Sequence, residues 1–297
     1  MASLVIPYFK RAKTINRALE SAEFSTAIIE VIVVDDELSG DSRKVMNEAC
    51  RQFPKTRIVE NKAIRGALGA RATGALAANN DLIVFLDSDD EVVPEGIAQC
   101  LNALCTDQDL CMAYGNVRFG DFTSYTSDFL RLTGNGYLSV LKNLSLCPFS
   151  GLCIRKSLIQ WEGLRRDLPA WQDDEFVLTA SRSGKIRFVD CVTAIMHDSG
   201  EGRISSNKQS QLTGLRMLLE KWGDEIIMQF GIFYIFLWKL RILSILLKIL
   251  STEIEQKKRL SKSRPKAFIL KFQSFSIYAI QRLLRRIFRV FFDRVYA

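Results

Sequence analysis

Short apolar runs alternate with helical patterns through the first 120 residues of the chain. Ser3 to Tyr8, Ile28 to Val34, Thr56 to Val59 and Leu82 to Leu86 are brief, mostly Val- and Ile-rich, and predict strands. Between them Thr14 to Ala22, about Asp41 to Phe53, and the Ala-rich Ala70 to Ala78 read as helices. A further helix starts near Pro94, and a strand follows near Leu110 to Val117. The strand runs are apolar without alternation, which implies burial on both faces of a parallel sheet. The βαβα order predicts an α/β fold, Rossmann-like, with a mostly parallel sheet flanked by helices. From Phe119 to Ser150 the pattern loosens around the turn Thr133 to Gly136. It resumes with Gly151 to Ile154, a helix through Asp174 to Ser183, and strands at Ile186 to Val189 and Val192 to Met196. After Trp222 its character changes, so residues 1–222 are expected to form one domain and 223–297 a helical extension.

Charge sharpens that division. The net charge is +8, yet from Ile235 onward 15 Lys and Arg face 3 Asp and Glu, leaving 26 basic against 30 acidic residues before it. Arg282, Arg285, Arg286 and Arg289 form one stripe at helical spacing, with Ile280, Leu283, Leu284, Ile287 and Phe291 on the opposite face. A basic amphipathic helix of this kind suits an anionic membrane surface, with an oligomer or intramolecular packing face as the alternative. The broad apolar face, in place of spaced aromatics, argues against nucleic acid. The apolar run from Phe230 carries Lys239 and Arg241 near its middle, each costing about 2.5–3.5 kcal/mol in a bilayer, so it is expected to form an interfacial or protein-packed helix and not a span. Seven scattered cysteines without ligand spacing predict a reducing compartment, and strand-like sequence directly after Met1 predicts no secretory leader. The expected location is cytoplasmic, peripheral to the inner face of the cell membrane.

Candidate chemistry gathers at strand ends. Asp87-Ser88-Asp89-Asp90 follows the strand ending at Leu86, and Asp35-Asp36 ends the strand beginning near Ile28. In an open α/β sheet, ligands bind outside the carboxyl ends of the strands, so both groups point to one edge. Oxygen-only ligands suit a hard cation, Mn²⁺ or Mg²⁺, which would hold nucleotide phosphates. Asp35 and Asp36 can accept from ribose hydroxyls or a base N–H, although Asp36 could instead cap the following helix. Between the two groups, Arg65 and Arg71 lie in a stretch of small residues suited to a diphosphate; close helix packing on the sheet would favour small residues as well. Further on, Asp173-Asp174-Glu175 precedes a helical pattern, and His197 is the single histidine.

These pieces resemble the family 2 glycosyltransferases with the GT-A fold. The matching positions are Ser3 to Tyr8, Val33 to Asp36 with Ser39, Asp41 and Ser42, Gly69-Ala70-Arg71 with Gly74 and Ala77, and Phe85 to Asp90 with Pro94. The resemblance spans roughly residues 3–205. It implies a base pocket lined by Pro7, Tyr8, Asp35 and Asp36, and nucleotide contacts from Arg65, Arg71, Asp87, Ser88 and Arg203. It further implies a cation held by Asp89 and Asp87, with His197 as a further ligand. Asp173 falls on the family's catalytic base, with Gln172 where a Glu is usual. A hydroxyl is a poor nucleophile near neutral pH, so a positioned carboxylate must take its proton. The expected activity is inverting transfer from a nucleotide-sugar donor, UDP-linked, to a saccharide or lipid-linked acceptor in polysaccharide assembly. A nucleotidyltransferase, or a non-catalytic relative that binds a membrane or partner, is the alternative.

Overall fold

The computed structural model describes residues 1–37, 40–62, 64–120, 131–143, 147–197, 207–231 and 243. Ser39, Arg203, the basic helical stripe and nearly all of the tail lie outside the described residues. Packing divides the chain into two units, Met1–Leu168 with Gln172–Glu201, and Pro169–Trp171 with Gly202–Ala297.

The first unit is built on one sheet. Its parallel half comprises β1 (Ala2–Tyr8), β2 (Ile28–Asp35), β3 (Thr56–Glu60) and β4 (Leu82–Phe85), in the order β3-β2-β1-β4. The other half continues through β8 (Cys153–Arg155), β6 (Leu110–Phe119), β9 (Lys185–Met196) and β5 (Glu91–Val92), while β7 (Thr133–Gly134) pairs β9. β6 and β9 are parallel to each other, whereas β8 runs antiparallel to both β4 and β6. The sheet is thus mostly parallel, with β8 reversed inside it beside the functional edge and the two-residue strands β5 and β7 antiparallel to β9.

Pro7 is tolerated in the central strand for a local reason. Val5 accepts from Leu86 on the β4 side, and Tyr8 accepts from Asp36 on the β2 side. Alternation turns Pro7 toward β4, where pairing has already ended at Val5, so its missing N–H removes no ladder bond.

Helices cover both faces. α1 (Ile15–Glu23), α2 (Asp41–Arg51) and α4 (Pro94–Thr106) share a core with Leu4, Ile6, Val31, Val33 and Val84. α3 (Ala67–Ala77) and α6 (Gln172–Ser181) lie on the opposite face, and α5 (Tyr137–Asn143) contacts α6. The small residues of α3 serve close approach: a Cβ on Gly74 would come 2.4 Å from Val5 and 2.7 Å from Val34. Pro94 opens α4, where its missing N–H would be unpaired anyway.

β9 is one strand where the pattern predicted two. Phe188 pairs with Tyr114 and Val192 with Asn116, so Val189 to Cys191 oppose Gly115 alone. This bulge needs Gly115, because a Cβ there would lie 2.6 Å from the Cys191 carbonyl. The break in apolar pattern marks the bulge and not a chain reversal.

In the second unit, α7 (Lys208–Phe230) is capped by Asn207, whose side chain accepts from the Ser210 N–H at 3.0 Å. Gly231 ends it at φ 79°, a conformation that favours glycine. Trp171 donates its indole N–H to the Gln211 carbonyl at 2.8 Å. Among the described residues no helix is long and apolar enough to cross a membrane.

Candidate active site

β1, β2 and β4 run in register, so their carboxyl ends meet at one edge: Tyr8 lies opposite Asp35, and Val5 opposite Phe85. The chain leaves β2 through Asp36 and β4 through Asp87 to Asp90. Both acidic groups therefore flank the end of β1.

On the β2 side the carboxylates are fully engaged. Asp35 is buried, accepts from the Glu37 N–H at 3.1 Å and faces Arg43 Nε at 2.9 Å. Asp36 accepts from the Asn61 amide at 2.6 Å and from the Gly66 N–H at 2.9 Å. Asn61 also donates to the Ile64 carbonyl and accepts from Thr73, so Asp36 fixes the loop entering α3. The Tyr8 ring is buried, with its hydroxyl 2.6 Å from the Ser42 hydroxyl. Pro7 beside it is half-buried, and Phe9, at 53% exposure, presents the open aromatic ring of this strand end. Arg65 is exposed.

The β4 side is a cluster of like charges. Carboxylate oxygens of Asp87, Asp89 and Asp90 all lie within 4.8 Å of one another. Arg71, almost fully buried, pairs with Asp87 and stacks 3.8 Å over the Phe149 ring. Arg11 lies 3.7 Å from Asp89, and Arg17 donates to the Asp89 carbonyl. Ser88 is buried in the turn. Asp90 is buried too, accepting from the Ser150 hydroxyl at 2.5 Å and the His197 backbone N–H at 3.0 Å. Burial, followed by the charges of Asp87 and Asp89, pushes the Asp90 carboxyl up to about 7 against the opposing pull of those two hydrogen bonds. The His197 ring meets Glu91 at 2.6 Å, and among the described residues the carboxylate group is completed by Asp90.

Asp173 is in the first turn of α6, where acidic residues favour the helix N-terminus. Burial raises its carboxyl above the usual range; the neighbouring N–H groups and Arg71 pull it down, and Asp87 pushes it further up. Arg71 thus acts on both acidic groups. The Gln172 amide donates to the Leu168 carbonyl at 2.7 Å, Asp174 is buried, and Glu175 accepts from the Arg165 N–H at 2.9 Å. Trp171, just before the helix, holds φ 64°, which is strained for a bulky residue.

Contributors that escaped the sequence reading include Arg11, Arg17 and Ser150. The two arginines carried a readable signal, because the segment after β1 opens on the same edge as the acidic turn. Ser150 carried none, since it reaches Asp90 from 60 residues downstream.

Comparison with known proteins agrees with this fold. Residues 3–160 match the model of glycosyl transferase family 2. A chondroitin synthase of Escherichia coli is 24% identical over 206 residues, covering 66% of this chain and 29% of that one. The succinoglycan biosynthesis protein ExoO of Rhizobium meliloti is 32% identical over 148 residues, covering 50% and 41%. The UDP-Glc:alpha-D-GlcNAc-diphosphoundecaprenol beta-1,3-glucosyltransferase WfgD of Escherichia coli is 28% identical over 150 residues, covering 49% and 57%. The chain thus spans less than two thirds of each relative's length. Among solved structures, S. aureus TarS 1–349 in complex with UDP-GlcNAc aligns with a TM-score of 0.59 at 16% identity, over 97% of this chain and 91% of that one, a likeness of fold. With just over half of its 297 residues matched, the chain belongs to glycosyl transferase family 2.

Proposed function

We propose that this chain moves a sugar from a nucleoside-diphosphate donor, of the UDP-sugar class, to a saccharide or lipid-linked saccharide in polysaccharide assembly, inverting the anomeric centre. The observation that carries the reading is geometric: two acidic groups on separate elements, the carboxylates after β4 and Asp173 at the start of α6, are joined through Arg71, which pairs with Asp87 and rests on Phe149, itself packed on Phe176 of α6. One group is suited to the donor and the other to the acceptor. The names of WfgD and of the TarS complex, both with UDP-linked sugars, support that donor class.

The donor set fits a divalent cation, Mn²⁺ or Mg²⁺. Three carboxylates within 4.8 Å repel one another, and two arginines only partly offset them. Asp87 and Asp89 would hold the ion, with Asp90 beside them. Bound there, it would neutralise the departing diphosphate. Asp36, Asn61 and Gly66 shape the nucleotide wall. Asp173 accepts the acceptor hydroxyl's proton as its oxygen attacks, and its raised carboxyl makes it a better base. Residues 1–222 form the catalytic part in this reading. The basic tail brings it to an anionic membrane surface on the cytoplasmic side.

Incubating the full chain with UDP-sugars, Mn²⁺ and acceptors tests the reading. Release of UDP supports it, pyrophosphate would indicate nucleotidyl transfer, and binding without turnover across an acceptor panel would indicate a non-catalytic relative. Flotation on anionic vesicles, compared with a chain ended after Gly231, tests the tail. Equal flotation would remove the membrane role.

A further inference from the structure

We infer that the segment Phe149-Ser150-Gly151 is a positioning clamp that holds the acidic turn in register with Asp173. This rests on reading the turn as the cation and diphosphate site. Each of the three residues grips a different part.

Ser150 has its side chain between the two ends of the turn. Its hydroxyl accepts from the Asp87 N–H at 3.2 Å and donates to the Asp90 carboxylate at 2.5 Å. At 2% exposure, no water competes for these bonds. One hydroxyl therefore bridges the two ends of the turn, alongside the bond from the Asp90 N–H to the Asp87 carbonyl at 3.1 Å, against the repulsion of three carboxylates.

Gly151 fixes the height of that hydroxyl. Its N–H donates to the Phe85 carbonyl at 2.9 Å, and Phe85 in turn donates to Leu152 at 3.0 Å, tying the segment to the last residue of β4. Gly151 holds φ +82°, and a Cβ there would come 2.4 Å from the Thr193 hydroxyl. No other residue fits.

Phe149 reaches the remaining carboxylate and the helix. Its ring supports the Arg71 guanidinium at 3.8 Å, and Arg71 pairs with Asp87. The same ring packs 5.5 Å from Phe85 and 5.3 Å from Phe176. Phe176 lies on α6 three residues after Asp173. The aromatic contacts thereby join the end of β4 to the helix that carries the proposed base. These are positioning residues: they touch the groups that would touch substrate. Hydrogen bonds to ligating carboxylates of this kind set how well the ligands are aimed.

The test uses the full chain with Ser150→Ala and, as a second variant, Phe149→Leu. Two readouts are taken: hydrogen exchange of the peptide covering residues 86–91 without ligand, and Mn²⁺ affinity by electron paramagnetic resonance with UDP present. Ser150→Ala is expected to melt near the wild type, speed exchange in 86–91, and weaken Mn²⁺ by about 10–100-fold. Phe149→Leu is expected to speed exchange in both 86–91 and 172–178, since it releases Arg71 and Phe176 together. Unchanged exchange in 86–91, or faster exchange with Mn²⁺ affinity intact, would overturn the clamp. A wild type that binds no Mn²⁺ with UDP would count against the proposed function, while the exchange readout would still decide the clamp.

Discussion

Arg71→Met removes a buried cation beneath the acidic turn while keeping a long apolar stem over Phe149. The loss has two parts. Stacking of a desolvated guanidinium on an aromatic face is worth about 2 kcal/mol, part of which the thioether regains. The ion pair with Asp87 is worth about 1 kcal/mol after discounting, because the Asp87 side chain is 36% exposed. Repulsion among the turn's carboxylates, within 4.8 Å of one another and about 3.5 kcal/mol per ionised pair at an effective dielectric near 20, is present in both proteins and cancels in the difference. The expected total is therefore about 2–3 kcal/mol of lost stability at neutral pH. The pH sign follows. Arg71 pulls the Asp173 carboxyl down, so removing it lets that carboxyl rise in the folded state; the deficit is full where the group is ionised and should shrink toward pH 5 and grow toward pH 8. Mn²⁺ should shrink it as well by replacing the missing charge. Urea unfolding at three pH values, with and without Mn²⁺, measures all of this. A deficit below about 0.5 kcal/mol, or one indifferent to both pH and Mn²⁺, would refute the reasoning.

Other expectations concern separate parts of the molecule. The Asp173 carboxyl is raised by burial, so a base with this environment should lose activity as pH falls through a value above the ordinary 3.8. A kcat–pH profile whose acid limb sits at or below 3.8 would contradict it. At the opposite end of the sheet, Glu30 accepts from Ser3 at 2.5 Å, Arg57 at 2.8 Å and Asn79 at 2.7 Å. Burial opposes its ionisation, but these donors outweigh it and hold the carboxyl below 4.5. Glu30→Gln should cost about 1–3 kcal/mol at pH 7. A lowered carboxyl contributes above its unfolded value and loses that contribution as pH drops through the folded one, so the gap should narrow below pH 4.5. Denaturant midpoints that stay equally far apart in acid would count against the network.

Legibility in the sequence followed locality. Strands buried on both faces leave unbroken apolar runs, so β1, β2 and β4 and the acidic residues at their ends could be read directly. The edge on which Asp36, Asp87 and Asp89 meet then followed from the parallel order alone. Contacts across the chain could not be read. Asp90 stood without a role until Ser150 and the His197 backbone were seen to hold it, and both lie more than 50 residues away. Arg71 read as a diphosphate ligand, and its burial between Asp87 and Phe149 depends on tertiary placement. The reversed strand β8 is only three residues long, too short for its direction to leave a pattern. The split in β9 was misread because a bulge interrupts periodicity just as a turn does.

The central claim is that Asp173 takes the acceptor's proton while the turn after β4 holds the donor. Asp173→Asn, assayed in the full chain with Mn²⁺ and a UDP-sugar it turns over, tests this most directly. The account predicts that kcat for transfer falls about 10²–10⁴-fold while donor affinity stays within about threefold of the wild type. Transfer at the wild-type rate by Asp173→Asn would contradict it.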